Sequence, residues 1–307
     1  MVTISCIIPA LNEENNIIKL ITSIKNQKLP QDVKIVDIIV IDNGSHDDTI
    51  KVASNMGSSV FLKPELTIGG LRNFGASRAT GDLLIFLDAD NILTEYAIQS
   101  LVINALQKEV GAIGIQLKPF DTNKWIPNTW YYHLCPKESG CYEKDTIASG
   151  ALIMRRDVFF EVGGFNEALD VGEDSELSRT IRRRGYKIIM DSNTVIYNTG
   201  YPADIITFIR REFWHGDSWK TILVHKKIDS LTLYLLINLI LIFILILRIR
   251  KGFLCMLGLL ITYLIIPSCF RAYKIRGRMD LMFYQLVILY ATYIMARTAS
   301  LLKMRIR

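Results

Sequence analysis

The chain has 307 residues, 50% of them hydrophobic, with a net charge of +6, which allows one sizeable domain and a smaller appendage. The charge is divided: residues 1–200 sum to −5 and residues 201–307 to +11. A basic third of this kind suits nucleic acid or an anionic membrane surface, and the long charge-free runs within it decide against nucleic acid.

Residues 1–202 are expected to form an α/β domain with a mostly parallel sheet, because short apolar runs alternate with amphipathic stretches. Val2–Ile8 reads as a strand stopped by Pro9. Asn12 is placed to cap a helix from Glu13 to Asn26, with Ile17, Leu20, Ile21 and Ile24 on one face. Lys34–Ile41 is the second strand, followed by Ser45 and Asp48 at capping-box spacing. A strand at Ser59–Leu62 precedes a helix through Leu71–Ala76. The apolar run Leu83–Leu87 reads as a buried strand, and a helix starts near Thr94. Val110–Leu117 is a further strand, and residues 118–147 break the pattern with proline, tryptophan and polar residues. Ala151–Met154 is a strand, and a short helix ends at Gly163-Gly164. Ser175–Arg184 is a helix stopped by Gly185, and strands follow at 186–190 and 194–198.

Residues 203–229 begin with an amphipathic stretch in which Ile205, Phe208, Phe213 and Trp214 alternate with Arg210 and Arg211. It reads as a helix lying in a lipid headgroup region, or as one packed on the soluble domain. Beyond it, 231–247, 252–270 and 281–296 contain no charged side chain. A spanning helix takes about 20 apolar residues, so residues 230–307 are expected to hold two to three hydrophobic helices. Three crossings would leave Arg248–Lys251 and the basic C-terminus outside, against the positive-inside tendency, so the number stays open. The N-terminus lacks the basic flank and cleavage site of a signal peptide. The first 200 residues are therefore expected to stay in the cytoplasm, at the inner membrane, and five cysteines without a close CxxC pair agree. Cys135 and Cys141 with His133 make half a zinc site, without a second half.

The chemistry gathers at three aspartates. Asp88 and Asp90 close the strand ending at Leu87, where two carboxylates one residue apart can hold a hard divalent cation beside a diphosphate. Asp174, in the acidic turn Gly172-Glu173-Asp174, could take a proton from an attacking hydroxyl.

Six motifs stand in order: Ile7–Glu13, Ile41–Ser45, Arg72–Ala76, Phe86–Asp90, Gly163–Glu167 and Gly172–Leu177. Over residues 2–200 the series resembles glycosyltransferase family 2, inverting enzymes of the GT-A fold. The resemblance implies that Pro9, Ala10, Leu11, Asn12 and Glu13 cradle the nucleotide of a UDP- or GDP-sugar donor, with Asp42 on the base or ribose. It implies that Arg72 sits near the diphosphate and that Asp88-Ala89-Asp90 is a DXD motif binding Mg2+ or Mn2+. Asp174 would then be the general base, with Glu173 orienting the acceptor or the loop. Turn and cap chemistry is the structural alternative for Pro9 and Asn12.

Two departures narrow the expectation. The Gln-x-x-Arg-Trp signature of processive members is absent, and Arg210–Trp214 keeps only the tryptophan, which favours transfer of a single sugar. Where many members carry a late histidine near the metal, this chain has Asn198, with His215 further on; either, or neither, could be a third ligand. The expected acceptor is a lipid-linked or membrane-proximal glycan in cell-surface polysaccharide synthesis. The alternatives are a polyprenyl-phosphate sugar synthase and a non-catalytic sugar-nucleotide-binding subunit.

Overall fold

A computed structural model describes residues 1–134, 140–215, 258 and 261–303. The chain divides into two compact units, Met1–Phe120 with Pro136–Gly200, and Asp121–Cys135 with Tyr201–Arg307.

The first unit runs β1 (Val2–Ala10), α1 (Glu14–Lys25), β2 (Val33–Asp42), α2 (Thr49–Asn55), β3 (Ser59–Leu62), α3 (Ile68–Arg78), β4 (Leu83–Leu87), β5 (Asn91–Leu93), α4 (Ala97–Ala105) and β6 (Val110–Pro119). After α5 (Trp125–Leu134), which belongs to the second unit, come β7 (Cys141–Glu143), β8 (Ala151–Arg155), α6 (Arg156–Glu161), α7 (Glu173–Arg183) and β9 (Lys187–Asn198). The strands form one sheet in the order β3-β2-β1-β4-β8-β6-β9-β5, with β7 also on β9.

Pairing is mixed rather than mostly parallel. β1 with β2 and β4, β2 with β3, and β6 with β9 are parallel. β8 runs antiparallel to both β4 and β6, and β5 and β7 run antiparallel to β9. Alternate side chains feed two cores. Ile4, Cys6 and Ile8 pack with α1 and α4 on one face, while Ile7, Leu84 and Phe86 pack with α3, α6 and α7 on the other. Strand order reverses at β1 and β4, and in such sheets the crevice beyond the strand ends at that switch point is where ligands bind.

Several sequence expectations need correction. β1 continues through Pro9 to Ala10. Asn43 donates its N–H to the Ala10 carbonyl at 2.8 Å, so Ala10 turns its polar groups to β2 and Pro9 turns the other way. On that side the ladder with β4 has already ended at Ile7 and Phe86, and the missing N–H breaks no bond. Asn12 does not cap α1; it takes a left-handed conformation, φ 55°, and Glu13 occupies the cap position without a side-chain bond. Ser45 does not cap α2 either, since its hydroxyl donates to Asp42 Oδ2 at 2.5 Å. The strands expected at 186–190 and 194–198 are one strand with a bulge, in which Asp191 accepts from the Asn193 and Thr194 N–H groups and the Thr194 hydroxyl. The irregular stretch 118–147 contains both α5 and β7.

In the second unit, α5, α8 (Ile205–His215), a π-helical turn (Ile261–Ile265), α9 (Ile266–Arg276) and α10 (Leu281–Lys303) surround a small core. Trp130, Phe208, Phe283, Leu286 and Tyr290 are buried in it. Among the described residues no helix is long and apolar enough to cross a membrane. α10, which carries the apolar run 281–296 up to Arg297, is among these helices, and one face of it packs within the unit. Run 231–247, residues 252–257, 259 and 260 of the run 252–270, and residues 216–229 of the amphipathic stretch lie outside the described residues.

Candidate active site

β4 carries Asp88 to its end because five consecutive apolar residues bury the strand on both faces. The Asp88 N–H donates to the Gly150 carbonyl across the antiparallel partner at 2.9 Å. Gly150 is a seat for the carboxylate, since a Cβ there would lie 2.3 Å from Asp88 Oδ2. Asp90 has a matching seat at Gly200, where a Cβ would fall 1.9 Å from its Oδ2. Asn198 Nδ2 donates to Asp90 Oδ1 at 2.6 Å, and Thr199 donates its N–H and hydroxyl to the Asp90 carbonyl. Ala89 between them is buried.

Burial pushes the Asp90 carboxyl up to about 7, and the charges of Asp88 and Glu13 push the same way. The Glu13 carboxyl is raised chiefly by its own burial, with Asp47 and Asp88 adding to it. Crowded carboxylates of this kind gain most from a cation, which favours their charged form. Among the described residues no group of three or more His, Cys, Asp or Glu could hold a metal. Two carboxylates with the remaining positions left to phosphate and water are how Mg2+ is commonly held, and Asp88 and Asp90 fit that pattern. Asn198 turns its amide N–H toward Asp90, and its Oδ1 accepts from the Gly200 N–H at 3.0 Å. In this arrangement Nδ2 rather than Oδ1 faces the Asp90 carboxylate. His215 lies in the second unit.

Arg72 joins this corner to the acidic turn. Its guanidinium is 3% exposed; Nη2 donates to Asp88 Oδ1 at 2.9 Å and Nη1 to Glu173 Oε1 at 2.8 Å. Ser149 Oγ lies 3.5 Å from the same Glu173 oxygen. α7 starts two residues earlier than the sequence suggests, so Glu173 and Asp174 occupy its first turn, where the helix dipole favours negative charge. The Asp174 carboxyl is pushed up to about 6 by burial and then by Glu173, against the opposing pull of Ser175 and Arg72. The Ser175 N–H donates to Asp174 Oδ1 at 2.6 Å.

The two loops beyond β1 and β2 are laced together. The Asn12 N–H donates to Ser45 Oγ at 2.8 Å and the His46 N–H to Asn12 Oδ1 at 2.8 Å. Glu13 and Glu14 give their N–H groups to Thr49 Oγ1 and Asp47 Oδ2. Pro9 and Ala10 are buried at the strand end, while Leu11 is 49% exposed. Asp42 is fully buried and accepts from the Gly44 and Ser45 N–H groups and the Ser45 hydroxyl. In this conformation it builds the loop rather than facing outward.

The structure thus brings Glu13, Arg72, Asp88, Asp90, Glu173 and Asp174 to one edge of the sheet. Sequence reasoning missed Ser149, Gly150, Thr199 and Gly200. The signal available was the small-residue pair before the strand at 151 and the glycine after the one ending at 198.

Residues 5–164, just over half of the chain, match the family model described as glycosyl transferase family 2. The O-antigen chain rhamnosyltransferase RfbN of Salmonella typhimurium is 28% identical over 63% of this chain and 65% of its own length. The succinoglycan biosynthesis protein ExoA of Rhizobium meliloti is 25% identical over 73% of this chain and 72% of its own. Among solved structures, Staphylococcus aureus TarS aligns at TM-score 0.51 and 19% identity, covering 70% of this chain and 39% of TarS. GalNAc-T7, solved with UDP, GalNAc and Mn2+, aligns at 0.53 and 18% identity, covering 71% of this chain and 50% of that one. The chain therefore spans about two thirds of the rhamnosyltransferase and half or less of these two structures, whose likeness establishes the fold. From its ordered motifs and from the match over residues 5–164, the chain belongs to glycosyl transferase family 2.

Proposed function

We propose that the chain transfers a single sugar, with inversion, from a UDP- or GDP-sugar to a hydroxyl of a lipid-linked or membrane-proximal glycan acceptor. The observation that carries this reading is the Arg72 bridge from Asp88 to Glu173, next to Asp174. One buried cation ties the corner suited to a metal–diphosphate to the turn suited to a base.

Asp88 and Asp90 would hold Mg2+ or Mn2+, which when bound neutralises charge on the diphosphate. The loop Pro9–Glu13 frames the nucleotide, and Asp42 keeps the facing loop in shape; a contact from Asp42 to the base or ribose needs that loop to open. Arg72 and Glu173 hold the site in register. Asp174, raised toward neutrality, is a stronger base than an ordinary surface carboxylate. Its carboxylate takes the proton as the acceptor oxygen bonds to the anomeric carbon. The bond from that carbon to the diphosphate oxygen breaks, and the nucleoside diphosphate leaves with the electron pair.

The similarity to RfbN, an O-antigen chain rhamnosyltransferase, and to ExoA, a succinoglycan biosynthesis protein, supports a place in cell-surface polysaccharide synthesis, and the UDP and Mn2+ bound to GalNAc-T7 support the donor class and metal. The apolar runs at 231–247 and 252–270 support attachment to the cytoplasmic face of a membrane, with membrane lipid as a partner. A polyprenyl-phosphate acceptor is already ionised and would leave Asp174 without a proton to take. Radiolabelled UDP- and GDP-sugars offered with polyprenyl diphosphate-sugar or polyprenyl phosphate test the reading. Transfer to the diphosphate-sugar is expected; transfer to the bare phosphate alone contradicts it.

A further inference from the structure

The second unit holds two arginines with more donors than acceptors. On α8, the Arg211 guanidinium lies over the Tyr201 ring, 5.5 Å from its centre. Its Nε is 3.8 Å from Glu212 Oε1, beyond hydrogen-bond reach, and the side chain makes no hydrogen bond among the described residues. On α10, Arg297 lies over Tyr293 at 5.1 Å. It donates through Nη2 to Glu212 Oε2 at 3.0 Å and through Nη1 to the His215 carbonyl. Both Nε atoms are buried without an acceptor, in side chains 29% and 20% exposed.

The charges do not balance. One carboxylate, Glu212, 3% exposed, serves two guanidinium groups. The His215 ring adds no charge, because burial and then Arg297 and Arg211 hold it down to about 4. An unmet buried N–H is costly, and since the Arg72 Nε is unmet in the same way, it is the excess of two guanidinium groups over one carboxylate that sets this place apart. Guanidinium forks fit phosphate oxygens two at a time; Glu212 holds the Arg297 fork before any ligand arrives, and that of Arg211 is held by its stack on Tyr201. Trp214, 53% exposed and three residues beyond Arg211 on the same side of α8, stands against the His215 ring at 4.8 Å. An anion bound here has apolar surface beside it, which suits a phosphate carrying a hydrocarbon chain.

We propose that Arg211 and Arg297 bind a phosphate or diphosphate group, that of the lipid carrying the acceptor glycan. The inference rests on the lipid-linked acceptor proposed above and assigns that lipid's headgroup to α8 and α10.

The test is binding to the full chain in non-ionic detergent, without nucleotide sugar, followed by tryptophan fluorescence and calorimetry. The probes are farnesyl diphosphate, farnesol and inorganic diphosphate. Farnesyl diphosphate is expected to bind at least about tenfold more tightly than either fragment, and Arg211→Gln to weaken it by about tenfold, the loss of one charge-assisted bond. Arg211→Lys should weaken it less, and both variants should melt as the wild type does. Unchanged affinity in Arg211→Gln overturns the proposal, as does equal binding of farnesol. Equal binding of inorganic diphosphate overturns the lipid source. A wild type that binds farnesyl diphosphate through Arg211 but turns over no nucleotide sugar upholds the anion site and contradicts the transferase reading, so the two failures are distinguishable.

Discussion

Arg72 neutralises two carboxylates at once, and its removal would leave Glu173 uncompensated in a buried setting, while Asp88, 41% exposed, can turn to solvent. Breaking a buried ion pair by removing one partner costs about 3 kcal/mol or more. Arg72→Met should therefore lower the unfolding free energy by about that amount in urea titrations, and Arg72→Lys, which cannot fork between two acids, should recover only part. Asp174 gives a pH prediction. Its folded carboxyl is raised to about 6 and must be ionised to accept a proton. The kcat/KM profile should be flat above that value and fall about tenfold per pH unit below it, a limb that Asp174→Asn abolishes. At this scale the sequence was most legible where chemistry dictates the residue type: Asp88, Asp90, Arg72, Glu173 and Asp174 all come to one edge. It was least legible where several roles suit one side chain. Asn12 and Ser45 have the composition of helix caps, yet both are used to lace one loop to the next, a long-range pairing that local spacing does not encode.

The elements expected from apolar periodicity are nearly all present, because burial on one or two faces imposes that periodicity on any strand or helix. Strand direction imposes none. The run Ala151–Arg155 would read the same parallel or antiparallel, so the mixed sheet was hidden and with it the pairing that sets Gly150 against Asp88. The bulge at 192–194 was read as a break for a similar reason: its polar residues satisfy one another through Asp191 rather than ending the strand. Two glycines supply tests. On α3, a Cβ at Gly75 would meet Ile7 at 2.5 Å and Ile41 at 2.6 Å. Gly75→Ala should cost about 2 kcal/mol from overpacking, despite the roughly 1 kcal/mol that alanine gains as a helix former; chemical denaturation would measure the net loss. Gly200→Ala should instead spare the fold, since the clash is with the carboxylate of a site residue rather than with core side chains, and displace the Asp90 carboxylate. Mn2+ should raise the melting temperature of the wild type by a few degrees and leave Gly200→Ala and Asp90→Asn unmoved.

At the scale of the whole chain, the division of charge anticipated two regions of different character, an acidic one with the candidate site and a basic, apolar one. The segment Asp121–Cys135 belongs with the C-terminal helices rather than with the sheet it interrupts. Its aromatic residues, Trp130 above all, pack with Phe208 and Tyr290, so composition marked the segment as irregular without revealing its partners. Flotation of the full chain with vesicles rich in anionic lipid should carry it upward, and a chain that stays in the soluble fraction would contradict the membrane attachment. The central claim is that Asp174 serves the chemical step at a site where the donor is held by other residues. Parallel measurement of donor affinity and turnover in Asp174→Asn tests it most directly: the account predicts an unchanged dissociation constant for the nucleotide sugar with kcat reduced at least about a hundredfold. A kcat within a few fold of the wild type would contradict it.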